Sequence, residues 1–281
     1  MDKNKTVTHI KKNLFYVLLA NPKIYLKVLL YRTLGIGLFT LIMSLTINFL
    51  GLNMYTIPAS MHSLIGIVIG LLLVFRTNTA YDRWWEGRKL ISLIAHQIDM
   101  LSALINVMQK SNELEYENLE NLRKEFSNFL ILLRNYLNSG EDGESSTEFH
   151  IQQRKLIQKA LFLISKIDKT DINVNNLTNS LDKLVEYSNG LERIKNTPIP
   201  LSYVFHIKIS IYIYLFSLPF GVFHDLNIFA VPLIMLIYYI IAGVEIISNE
   251  IENPFANDPN DIPTIKLFNV ILKTLNKHGD V

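Results

Sequence analysis

The chain has 281 residues, of which 49% are hydrophobic, and its net charge of +2 is too small to argue for a nucleic-acid partner. It contains no cysteine, which excludes disulfides, thiolate metal sites and cysteine nucleophiles. Its long apolar stretches cluster in two regions, residues 33–75 and 209–248, and this distribution predicts an integral membrane protein.

Residues 1–32 are predicted to be a cytoplasmic or interfacial segment. Lysines precede an apolar patch, as in a signal peptide, but Asn21 and Pro22 interrupt the patch and no small-residue cleavage site follows. We therefore expect this segment to belong to the mature protein.

Residues 33–75 are predicted to form a first transmembrane hairpin. Two uncharged stretches, 34–52 and 57–75, each approach the ~20 residues that a helix needs to cross a hydrocarbon layer of ~30 Å. A short turn around Asn53 separates them.

Residues 76–208 are predicted to be a cytoplasmic helical domain. Between Leu90 and Met108 the apolar residues recur at helical spacing. Further helices are predicted near 112–138, from an N-cap at Ser146 or Thr147 to about Lys166, and over about 175–193. The segment contains no Gly-rich phosphate loop, metalloprotease histidine pair or nucleophile elbow, so we predict that the protein is not an enzyme.

Residues 209–248 are predicted to form a second hairpin, and residues 249–281 a cytoplasmic C-terminal segment. The apolar stretches 209–223 and 228–244 are separated by the polar turn His224, Asp225, Leu226 and Asn227. Each stretch contains a proline, which a membrane helix tolerates where neighbouring helices or water satisfy the freed carbonyl. This favours a packed bundle of four transmembrane helices.

Lysines and arginines flank the two hairpins on one side only. They occur before the first apolar stretch, after the second and before the third, whereas the two connecting turns have none. Because positive charge marks the cytoplasmic side, this predicts a multi-pass protein of the cell membrane, or of the inner membrane in a Gram-negative cell, with both termini cytoplasmic.

Three motifs resemble the bestrophin family of ion channels and occur in the order expected for it. They are FRTNTAYDRWWEGRK at 75–89, PIPLSY at 198–203 and NEIENPFANDPNDIP at 249–263. The resemblance implies an all-α homopentamer in which each subunit contributes four transmembrane helices and a helical cytoplasmic domain around one central pore.

The resemblance also implies which residues line the pore. The neck positions are matched by Ile67, Leu71 and Phe75, and a cytoplasmic aperture by Ile199. Spacing of four residues places the neck residues on one helix face, ~6 Å apart along the axis, and stacked apolar rings of this kind gate by dewetting. Periodicity alone favours the alternative that these residues pack against other helices or face lipid, and the family resemblance favours the pore.

Arg83, Trp84 and Trp85 follow the second apolar stretch and belong to the first motif. A gating role at the pore and simple anchoring at the membrane interface are both compatible with this position.

The acidic motif after the last apolar stretch holds calcium in animal members of the family. The matching residues are Glu250, Asn253, Asp258 and Asp261, and their oxygens are suitable calcium ligands. Alternatively, these side chains cap helices or pair with basic flanks. No cofactor is predicted apart from this calcium ion.

The sequence thus predicts a passive channel for small monovalent ions, embedded in lipid and assembled from copies of itself. It does not fix the gating stimulus or the physiological role, nor does it decide between chloride and cations, because an uncharged neck carries no ring of one sign. The alternatives are a membrane transporter and a membrane-anchored protein that binds a partner without conducting ions.

Overall fold

A computed structural model describes residues 24–50, 58–111, 116–140, 143–167, 172–256 and 260–276. The helices are α1 (Ile24–Leu50), α2 (Ala59–Ser111), α3 (Tyr116–Asn138), α4 (Gly143–Ser165), α5 (Ile172–Asn196), α6 (Leu201–Leu226), a 3-10 turn (Asn227–Phe229), α7 (Ala230–Glu252) and α8 (Thr264–Leu275). No strand occurs in these ranges, and the predicted all-α class is confirmed. The predicted turn around Asn53 lies outside the described residues.

The chain divides into two compact units. The first, called the membrane unit here, comprises Met1–Thr77 and Ser202–Ile247, and the second, called the helical unit, comprises Asn78–Leu201 and Ser248–Val281. The five segment boundaries expected from the sequence stay predictions.

Four helices among the described residues are long and apolar enough to cross a membrane. The candidate spans lie within Lys27–Leu50, Ser60–Gln109, Leu201–Phe223 and Asn227–Glu252. Within the membrane unit, side chains from all four helices form one buried cluster that includes Leu29, Leu73, Leu215 and Ile234. Many large apolar residues remain exposed on the outside of this unit, which is the surface that lipid or another subunit would cover.

The helical unit has its own core. Ile94, Ile98, Leu101, Ile105 and Met108 are all buried along one face of α2, as the apolar spacing in the sequence predicts. Helix α3 packs against α4 and α8 on this core.

Two helix boundaries differ from the predictions. Helix α4 begins at Gly143, before the expected caps Ser146 and Thr147, and the Ser146 hydroxyl instead donates to Glu192 of α5 at 3.3 Å. Helix α6 continues to Leu226, so the polar turn expected at 224–227 is reduced to the 3-10 turn, where Asn227 adopts a φ of 49°. Asparagine tolerates this left-handed conformation better than most residues.

Candidate pore and its supporting residues

The predicted neck residues lie on an uncovered face of α2. Ile67, Leu71 and Phe75 are 70%, 54% and 54% exposed in the single chain, whereas Ile69 and Leu73 on another face are buried in the membrane unit. Exposed apolar side chains of this size need a covering surface in the working protein. Neighbouring residues such as Leu64 and Val68 are also exposed, so exposure alone does not separate a pore face from a lipid face.

Close packing of α2 on α6 fixes the rotation of this face. A Cβ atom at Gly66 would lie 2.7 Å from the Tyr214 hydroxyl oxygen, so a larger residue would force the Tyr214 side chain to shift, whereas Gly70 has nothing within 4 Å in the described structure. One turn away, the buried His62 places its Nε2 3.0 Å from the Ser217 carbonyl oxygen. The His62 bridge was not predicted, because it joins residues 155 positions apart.

A charged cluster lies in the membrane unit where the apolar stretch of α2 ends. The Arg76 side chain, with 0% exposure, pairs with the Glu245 carboxylate at 3.4 Å. Lys208 of α6 reaches the same carboxylate oxygen at 3.5 Å. A carboxylate shared by two cations compensates buried charges that would otherwise be costly. The Arg76–Glu245 pair was not predicted from the sequence, because its members are 169 residues apart.

Arg83 of α2 binds the C-terminal ends of two other helices, α5 and α7. Its Nε donates to the Glu252 carbonyl at 3.1 Å, one terminal nitrogen donates to the Ile194 carbonyl at 2.7 Å, and the other donates to the Thr197 carbonyl. A guanidinium suits this position because the last carbonyls of a helix lack intrahelical partners. Partial burial lowers the pKa of Arg83, and the carboxylates of Glu252 and Glu86 oppose that shift.

Trp84 and Trp85 belong to a stack of three aromatic rings with Tyr81. Adjacent centroids lie 6.4–6.5 Å apart and the planes are within 23° of each other. The Trp84 Nε1 donates to the Asn260 carbonyl at 3.1 Å, whereas Trp85 remains exposed. The predicted cluster thus divides into Arg83 and Trp84, which hold the helical unit together, and Trp85, which faces outward.

We expect Arg83→Ala to lower the free energy of unfolding by ~3 kcal/mol, because the variant loses several hydrogen bonds to a charged donor. Thermal melting of the solubilised protein, followed by tryptophan fluorescence, measures this loss. Arg88→Ala is the matched control, since among the described residues Arg88 donates to Ser92 alone, on the same helix, and we expect a change in unfolding free energy below ~1 kcal/mol there. Equal melting temperatures for the two variants would contradict the joining role of Arg83.

Ile199, the residue matched to the cytoplasmic aperture, lies just beyond the Thr197 carbonyl that Arg83 binds. Its side chain is 6% exposed and is therefore turned into the protein in the single chain. Its aperture role stays a prediction, and lining an opening requires that this side chain be uncovered.

The residues matched to a calcium site are only partly described. Glu250 accepts a hydrogen bond from the Asn260 side chain, Asn253 and Asp261 are half-buried, and Asp258 lies outside the described residues. Within the described ranges, no group of three or more His, Cys, Asp or Glu side chains is arranged to hold a metal ion. Calcium binding therefore stays a prediction.

Comparison with known proteins places this helical arrangement in a family of membrane proteins. Residues 5–277 match the family described as bacterial/fungal bestrophin protein. A voltage-dependent anion channel-forming protein of Synechocystis sp. is 34% identical over 227 residues, covering 74% of each chain. Another with the same description, from Salmonella typhi, is 27% identical over 277 residues, covering 92% of this chain and 88% of its own.

Solved structures agree on the fold. A bacterial bestrophin homologue from Klebsiella pneumoniae superimposes with a TM-score of 0.78 at 21% sequence identity, covering 88% of this chain and 97% of its own. The chain belongs to the bacterial and fungal bestrophin family, and the resemblance predicted from the three motifs is confirmed.

Proposed function

We propose that the protein is one subunit of a homopentameric channel that passes small monovalent anions across the cell membrane without energy input. The observation that carries the proposal is the uncovered apolar face of α2, where three large side chains stay exposed in a chain that matches the bestrophin family over nearly its whole length. Relatives described as anion channel-forming proteins support the ion class.

In this proposal five copies of α2 turn Ile67, Leu71 and Phe75 toward a shared axis. Each residue forms a ring, and the three rings extend over ~12 Å along the axis because each step of four residues climbs ~6 Å. An ion crossing such a neck must shed water where no polar group replaces it, so wetting and dewetting control conduction. Ile199 is proposed to form a second ring on the cytoplasmic side.

The charged cluster at the end of the neck supports anions over cations. Arg76 directly follows Phe75, and its charge and that of Lys208 exceed the single charge of Glu245. Repeated in five subunits, this excess produces a positive potential at the neck, which concentrates anions. The apolar rings themselves carry no sign, so selectivity is proposed to arise from this flanking field.

A transporter is the second candidate, and the buried ion pair Arg76–Glu245 favours it. Transporters place ionisable residues within their membrane helices to bind substrate or relay protons. A channel instead requires such charges to be fixed and to stay outside the narrowest part of the path.

Purified protein in liposomes distinguishes the two candidates. We expect passive flux down a potassium chloride gradient, with a reversal potential close to the chloride equilibrium potential, and a solubilised particle whose mass equals five chains of 32.4 kDa. Saturable counterflow would indicate a transporter. A monomer or inert vesicles would refute the channel, and reversal near the potassium potential would refute the anion assignment.

A further inference from the structure

A cleft on the membrane unit, separate from the neck face, brings charged and aromatic side chains together. It lies between α1, α6 and α7 and is lined by Arg32, Lys208, Ile211, Tyr212, Tyr238, Ala242 and Glu245. Arg32 and Lys208 lie about two turns after the starts of α1 and α6, and Glu245 lies about two turns before the end of α7. The charged residues therefore share one level, which corresponds to the cytoplasmic ends of the apolar helices in the predicted orientation.

The cleft has more positive than negative charge. Its only carboxylate among the lining residues, Glu245, is already contacted by both Arg76 and Lys208. Arg32 is exposed, and within the described part of the chain no ion pair involves it. Because the Glu245 carboxylate is already neutralised, the exposed Arg32 guanidinium can bind an anion from outside the chain.

The rest of the lining suits an amphipathic ligand. Tyr212 and Tyr238 provide hydroxyl groups to the lining. Ile211 and Ala242 are buried and provide an apolar floor. A ligand with an anionic head and an apolar body meets complementary chemistry in this cleft.

We infer that the cleft binds a phosphate group, and that the phosphate is that of an anionic phospholipid headgroup. Arginine forms forked hydrogen bonds with phosphate oxygens, and lysine adds a point charge. Basic pockets between membrane helices on the cytoplasmic side bind anionic headgroups by this chemistry. Free phosphate shares the polar chemistry but not the apolar body, and the apolar floor favours the lipid.

Native mass spectrometry of the detergent-solubilised protein tests this site with phosphatidylglycerol, phosphatidylcholine and inorganic phosphate as separate probes. We expect phosphatidylglycerol to bind at least tenfold more tightly than phosphatidylcholine. The double variant Arg32→Gln with Lys208→Gln should lose that preference, since each lost charged contact is worth about one tenfold step or more. The single variant Arg32→Gln keeps the Lys208 ion pair and so tests the cleft where the double variant fails to fold.

Lys27→Gln is the matched control. Lys27 is exposed on the same helix, within the same end of α1, but does not line the cleft. We expect it to change phosphatidylglycerol affinity by less than twofold. Displacement of the lipid by millimolar inorganic phosphate would support a phosphate site in the cleft but would refute the lipid as its occupant in favour of a soluble phosphate.

Equal binding of the two lipids without a phosphate effect, or equal losses in Lys27→Gln and Arg32→Gln, would overturn the inference. The readout is binding rather than conduction, so its failure leaves the proposed channel function unaffected.

Discussion

Replacing Ile67, Leu71 and Phe75 together by alanine is expected to raise single-channel conductance about tenfold. The substitutions shorten the side chains that form the three proposed rings, so the neck widens and stays filled with water. An ion then keeps more of its hydration shell as it passes. A tenfold change corresponds to a conduction barrier lowered by ~1.4 kcal/mol in total, and the three widened rings share this decrease. Recordings in planar bilayers under symmetric salt measure the conductance directly.

Val68→Ala is the control for this experiment. Val68 is as exposed as the neck residues and lies on the same helix, but it points ~100° away from Ile67. We expect wild-type conductance from this variant. The triple variant must retain the mass of the wild-type assembly, because the exposed face also serves as a packing surface if it meets another subunit. Unchanged conductance in an intact assembly would show that Ile67, Leu71 and Phe75 face lipid.

The helices were predictable from the sequence because their signals are local. A stretch of uncharged residues is recognised without reference to the rest of the chain, and so is the apolar period from Ile94 to Met108. Helix ends were less predictable, as the start of α4 at Gly143 shows, because the Ser146 hydroxyl bonds to another helix instead of capping its own. Capping competes with tertiary contacts that local patterns do not reveal.

The side-chain contacts around the candidate pore depend on long-range packing, which the sequence does not reveal. Arg76 and Glu245 are 169 residues apart, and only the register of α2 against α7 brings them within 3.4 Å. Arg83 was recognised through its motif, yet its partners are backbone carbonyls, which have no signature in the sequence. The burial of Ile199 likewise comes from packing in the helical unit, which the PIPLSY motif does not reveal.

Glu245→Ala is expected to lower the free energy of unfolding by ~3 kcal/mol, because it takes the carboxylate away from the fully buried Arg76 and from Lys208. For a chain of 281 residues the loss corresponds to a melting temperature lower by roughly 5 °C. Melting followed by tryptophan fluorescence suits this protein, since it has two tryptophans and no cysteine for thiol-reactive dyes.

Glu86→Ala makes the same substitution in an exposed ion pair, where Glu86 accepts from Arg193 at 2.7 Å. We expect Glu86→Ala to lower the free energy of unfolding by less than ~1 kcal/mol, because water screens exposed ion pairs. The double variant Arg76→Met with Glu245→Leu removes both buried charges and should recover most of the stability lost in Glu245→Ala. Equal melting temperatures for Glu245→Ala and Glu86→Ala would show that water reaches Arg76 in the assembled protein. The Arg76 charge at the end of the neck would then be hydrated and not held by protein contacts alone. Hydration of that kind would weaken the field proposed to select anions, so this stability measurement also bears on ion selectivity.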